Sequence, residues 1–152
     1  MQRVLRRMSS LVIVLVVSAV HAQAPNPAPS VDDALVAQLK DAKWTAWTMP
    51  GAPSGILVWP VAGDGKTGPS MAYAKWPAGL AFPAHWHSTA ETTVVISGTL
   101  DYVIDGKSYQ AVGPGSVVVF PPKQVHQVTC SKAGPCVFLI RRTGATDYHF
   151  DK

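Results

Sequence analysis

The chain has 152 residues, 47% of them apolar and 14% charged, which is enough for one buried core and too little charge for a disordered chain. Its formal net charge is +4, but Arg3, Arg6 and Arg7 supply three of the positive charges at the very start. Without them ten basic residues face nine acidic ones, a net of +1, and only Arg141-Arg142 forms a basic pair, so a nucleic-acid-binding protein is excluded.

The first 24 residues, MQRVLRRMSSLVIVLVVSAVHAQA, place three arginines before an apolar run from Leu11 to Val20 and a stretch of small residues. That is the order of a secretory leader, cleaved near Ala22 or Ala24. The apolar run is about half of the roughly 20 residues that span a bilayer, so cleavage is expected rather than anchoring. The mature protein is expected to be periplasmic or secreted and free of the membrane.

Residues 25–44 read as a linker and a short helix. QAPNPAPS is proline-rich and has no apolar period. In SVDDALVAQLKDAKW, Ser30 can cap a helix, and Asp32 and Asp33 occupy its first turn. Val31, Leu35 and Leu39 share one helical face.

Residues 45–152 form the main domain. Short β-rich runs alternate with Gly/Pro punctuation: GILVWPVA, SMAYAKW, TTVVISG, LDYVIDGKSYQAV, SVVVF, HQVTC and CVFLIRR. The spacing predicts an all-β sandwich or barrel, and no segment is periodic enough to be a crossover helix. Asp105-Gly106 suits a type I′ hairpin turn. Cys130 and Cys136 flank Ala-Gly-Pro, and the C-x5-C spacing in an exported chain favours a hairpin disulfide over a redox pair.

The chemistry is concentrated in PAGLAFPAHWHSTAETTVVISG. It holds His85, His87 and the chain's one glutamate, Glu91. On a strand, His85 and His87 point to the same face and Trp86 to the other. Two imidazoles one residue apart can bind one ion, and Glu91 can turn toward the same point after the break at Ser88-Thr89-Ala90. A buried carboxylate without a partner costs several kcal/mol, and a metal removes that cost. A distant strand must supply a further ligand; His126 in PPKQVHQV suits it better than His149 near the C-terminus.

These residues resemble the cupin superfamily. Gly79-x5-His85-x-His87-x3-Glu91-x6-Gly98 fits its first motif at every fixed position. The second motif is partial: Gly115-x5-Pro121 and His126 fit, with Lys123 where a glycine is usual and Cys130 where an asparagine is usual. The resemblance covers roughly residues 55–142. It implies a double-stranded β-helix, a jelly-roll barrel, with His85, His87, Glu91 and His126 as ligands to one divalent metal inside it. It also makes a bridge from Cys130 to Cys136 natural, and a homodimer more expected than a monomer.

Three imidazoles and a carboxylate suit Fe, Mn, Ni, Cu or Zn. Four protein ligands leave coordination positions open, as a catalytic site requires. The expectation is an exported metal-dependent enzyme acting on a small oxygen-bearing molecule, by dioxygenase-like or by lyase/isomerase-like chemistry. The alternative is a non-catalytic module that binds or senses a small ligand. Tyr73, Tyr102, Phe120 and Phe138 could line the pocket, although ordinary core packing is the expected role of each of them. No spacing singles out an acid or base.

Overall fold

The computed structural model describes residues 29–150. The expected leader lies outside them. Eleven strands follow in chain order: β1 (Thr45–Ala46), β2 (Leu57–Gly63), β3 (Ser70–Trp76), β4 (Ala81–Trp86), β5 (Glu91–Ser97), β6 (Leu100–Ile104), β7 (Lys107–Val112), β8 (Val117–Phe120), β9 (His126–Cys130), β10 (Cys136–Arg142) and β11 (His149–Phe150). They build two antiparallel sheets, ordered β1-β2-β3-β10-β5-β8 and β11-β4-β9-β6-β7. This is the expected all-β jelly roll. Among the described residues no helix is long and apolar enough to cross a membrane.

Alternation along the strands explains why they form and which way they face. In β9, His126, Val128 and Cys130 are buried while Gln127 and Thr129 are half-buried. In β5, Glu91, Thr93 and Val95 are buried, with Thr92 and Val94 on the outer face. A period of two puts one face of each strand into the barrel. Leu100, Tyr102, Phe120 and Phe138 fill the interior between the sheets. Tyr102, Phe120 and Phe138 therefore point inward. Tyr73 instead stacks on Trp59, with ring centroids 5.5 Å apart, and lines neither cavity described below.

The expected N-terminal helix does not form. Residues 30–44 run as a turn at Val31–Asp33, then irregular chain, then a single 3-10 turn at Leu39–Asp41. The Ser30 Oγ accepts from the Asp32 N–H, and Asp33 Oδ2 accepts from the Ser30 N–H, a reciprocal pattern that can open a helix, but the chain does not continue into one. The apolar face gains little burial: Leu35 is 42% exposed, and Val31 and Leu39 are only half-buried.

Two turns matter to the site. Asp105 and Gly106 both have positive φ, 47° and 78°, as a type I′ hairpin demands. Lys123 stands where the family pattern has glycine, yet it takes the same left-handed conformation, with φ 66°. Its N–H donates to the His87 carbonyl at 2.8 Å. The turn before His126 is thereby tied to the strand end that carries His87. Cys130 and Cys136 are bonded as a disulfide across the β9–β10 connection.

Candidate metal centre

β4 ends at Trp86 and delivers His85 inward, with His87 one residue beyond the strand. Trp86 faces outward, as alternation requires, and stacks on His149 at 3.8 Å. β9 pairs with β4 so that His126 lies directly opposite His85. β5 starts at Glu91, directly opposite Arg142 of β10. His85, His87, Glu91 and His126 are all buried.

One ring nitrogen from each of His85, His87 and His126 lies within 4.8 Å of the other two. The opposite nitrogens are committed. His85 Nδ1–H donates to the Pro83 carbonyl at 2.8 Å, His126 Nδ1–H to the Gln124 carbonyl at 3.0 Å, and His87 Nδ1–H to the Asp147 carbonyl. These bonds assign the tautomer. Each neutral ring then carries its lone pair on Nε2. His87 Nε2 has no hydrogen-bond partner. Three converging lone pairs in a buried space fit a cation, and a backbone carbonyl on the far nitrogen is the usual outer support of a metal-binding imidazole. The cluster is consistent with a divalent metal. His149 stands apart on the surface, against Trp86 and Asp147.

Glu91 is held differently from the histidines. Its Oε2 lies 2.6 Å from Arg142 Nη2 and 3.2 Å from His87 Nε2, but gains no aligned hydrogen bond from either. Thr93 Oγ1 donates to Oε1 at 3.3 Å. Burial alone would push the Glu91 carboxyl up. The Arg142 guanidinium outweighs it and holds the carboxyl well below the usual range, so it stays ionised. Burial, with His126 beside it, lowers the His85 pKa to about 3, and burial lowers that of His126 as well. Both rings are neutral at pH 7, the form that binds metal.

Phe120 stacks on the His126 ring at 3.9 Å and 14°, which fixes its orientation. Tyr102 places its hydroxyl in the interior without a partner. Burial pushes that hydroxyl's pKa up, so it keeps its proton. A small cavity of about 30 Å³ is lined by His85, Glu91, Tyr102, His126, Arg142 and Tyr148 among others, room for about one water-sized occupant. A second, larger cavity of about 670 Å³ shares Trp76, Ile140, Arg142 and Tyr148 as a common wall.

Arg142, Asp147 and Tyr148 were not singled out as site residues by sequence reasoning. Arg142 donates to the Tyr148 hydroxyl at 2.9 Å, and Asp147 supports both His87 and the Ser88 N–H. A signal existed. Tyr148 and Phe150 alternate as a strand would, and Arg142 is the basic residue on the inward parity of CVFLIRR. Neither could be joined to Glu91 without the register.

Residues 72–140 match the family model described as Cupin domain. The chain is similar in fold to the polyketide cyclase RemF from Streptomyces resistomycificus, with a TM-score of 0.65 and 18% identity over 79% of this chain and 87% of that one. It is also similar to a predicted oxalate decarboxylase from Thermotoga maritima, with a TM-score of 0.62, 16% identity and coverage of 72% and 99%. A third likeness is the DMSP lyase DddQ from Ruegeria pomeroyi DSS-3, with a TM-score of 0.59, 23% identity and coverage of 72% and 60%. Identities this low carry the fold and not the reaction. No curated protein sequence matches the chain. The two-sheet barrel and the family match over residues 72–140 together identify a small cupin superfamily domain in this chain.

Proposed function

We propose that this protein is an exported, metal-dependent enzyme that acts on a small oxygen-bearing molecule. The observation that carries the reading is the convergence of three buried imidazoles whose Nδ1 atoms are all spent on backbone carbonyls. His85, His87 and His126 would hold one divalent ion, with Glu91 as the fourth ligand. The donor set suits Fe, Mn, Ni, Cu or Zn. Such an ion, when bound, supplies Lewis acidity and, if it is redox-active, a route to oxidation.

The chain's own groups do the rest. Tyr102 holds a proton in the metal cavity and can deliver it, or a hydrogen bond, to a substrate oxygen. Arg142 keeps Glu91 ionised and ready to ligate. Phe120 and Phe138 keep the surroundings dry, which strengthens every charge contact there. The reaction class that fits is an oxidoreductase or a lyase/isomerase step on a coordinated oxygen. Residues 1–24 would direct export, residues 25–44 would tether the domain, and residues 45–152 would form the catalytic barrel. The Cys130–Cys136 disulfide is consistent with an extracellular location.

The test is turnover. Protein loaded with each candidate metal is incubated with a panel of small hydroxy, keto and carboxylic acids, with and without oxygen. Product that depends on metal and disappears in His126→Ala supports the reading. Saturable binding without turnover across the panel would make the protein a binding module instead.

A further inference from the structure

The larger cavity owes its existence to small side chains. The inward positions of β3 before Trp76 are Ser70, Ala72 and Ala74, and Ala62 adds another on β2. These residues cannot fill the barrel, and they leave about 670 Å³ between β2, β3 and the Thr146–Tyr148 segment, within the usual range for a small-molecule pocket. Its walls are otherwise apolar, with Trp47, Ile56, Val58 and Ile140 among them.

Four charged residues border the cavity: Asp64, Lys66, Asp147 and Arg142. The two carboxylates are engaged. Asp64 Oδ1 accepts from the Lys66 N–H at 2.9 Å, and Asp147 accepts from the Ser88 N–H and contacts His149. Arg142 is different. Its side chain is only 10% exposed, and its Nε has no hydrogen-bond partner. Its Nη2 serves both Glu91 and the Tyr148 hydroxyl. Arg142 lines both the large cavity and the small metal cavity. A buried guanidinium on the boundary between an apolar chamber and the histidine cluster is placed to pair with an anionic oxygen.

From this we infer that the substrate is a carboxylic acid with an apolar body. The body fills the chamber beside β2 and β3, and the carboxylate sits at Arg142, which sets specificity and presents the adjoining carbons toward the histidines. The inference deepens the proposed enzyme reading and rests on it for catalysis. The binding step itself needs only Arg142 and the chamber. Should Glu91 turn to a metal, the guanidinium loses part of its internal counter-charge, and its demand for an external anion rises.

Trp47 and Trp76 line the chamber and report its occupancy by fluorescence. Octanoate and octanol share an apolar body and differ in charge. Both are titrated into wild-type protein, metal-free and zinc-loaded. Octanoate is expected to bind about tenfold or more tightly than octanol, the difference that a charge-assisted hydrogen bond supplies. Arg142→Lys keeps the charge but loses the fork, and should shrink the preference several-fold. The double variant Glu91→Gln with Arg142→Met keeps the charge balance and should bind both ligands equally. Three results would each overturn the inference: no saturable response to octanoate, equal binding of the two ligands in wild type, or an unchanged preference in Arg142→Lys. The preference should already be present in metal-free protein. A failure of the metal reading would therefore appear as no zinc retained by the zinc-loaded protein after desalting, with the octanoate preference intact, and a failure of this one as loss of the octanoate preference in both samples.

Discussion

Individual side chains in the centre set how the protein responds to acid. The His85 ring takes a proton near pH 6.5 when solvated, but burial and His126 lower that to about 3 in the fold. Between those values the unfolded chain binds more protons than the native one, so native stability falls as pH falls. The slope is up to about 1.4 kcal/mol per pH unit for each such group. His126 is lowered too, by burial, and adds to the same trend. Glu91, held below its ordinary value of 4.5, contributes stability that is present above that pH and is lost only on stronger acidification. Metal-free protein should therefore show a Tm that drops between about pH 7 and about pH 5 and drops further below; a flat or rising Tm would contradict the buried neutral histidines. Tyr102 invites a different substitution. Its hydroxyl is buried without a partner, which costs about 1–3 kcal/mol. Tyr102→Phe should leave Tm unchanged or raise it and leave metal stoichiometry intact, while lowering turnover. A clear loss of Tm would mean that the hydroxyl has a structural partner. At this scale the convergence of the histidines was legible because H-x-H with alternation fixes which side each ring takes. Arg142 was not, because its bond to Glu91 depends on β5 and β10 meeting in one register across about fifty residues of chain.

Strands and turns bring those residues together, and two of their connections are testable. The β9–β10 connection is closed by the Cys130–Cys136 bond, with a sequence separation of 6. A loop that short gains about 2 kcal/mol from the cross-link. The Cys130→Ala/Cys136→Ala protein should melt about 5–10 °C lower, as differential scanning calorimetry can show, and keep the histidine cluster in place. Gly98, between β5 and β6, has φ 76°, and a Cβ there would lie 2.6 Å from the Pro135 carbonyl oxygen and 2.9 Å from Cys136 Cα. Backbone atoms cannot move aside as a flexible side chain could. Gly98→Ala should cost on the order of 1–3 kcal/mol, measured by urea denaturation, and an unchanged midpoint would mean that this approach is not as close as described. Most strands were readable from their runs, since SMAYAKW, HQVTC and CVFLIRR coincide with β3, β9 and β10. The helix expected at residues 30–44 was not, because its period of 3.6 is real while its apolar face gains little burial. β11 escaped notice because a two-residue strand has no periodicity of its own and exists only through its pairing with β4.

As a whole the molecule is a barrel with two unequal chambers, a tight one around the histidines and a roomy apolar one beside β2 and β3, divided by Trp76, Ile140, Arg142 and Tyr148. The fold was legible because the motif spacing and the strand punctuation agree with each other. The second chamber was not, since a cavity is a property of what side chains fail to fill, and the alanines that create it look like ordinary strand residues. The central claim concerns the first chamber. It is tested most directly by the metal content of the purified protein, measured by inductively coupled plasma mass spectrometry beside His87→Ala. About one equivalent of a single divalent metal in the wild type, lost in the variant, is the result the account predicts. A wild-type protein that holds no metal even after reconstitution with Fe, Mn, Ni, Cu and Zn would contradict it.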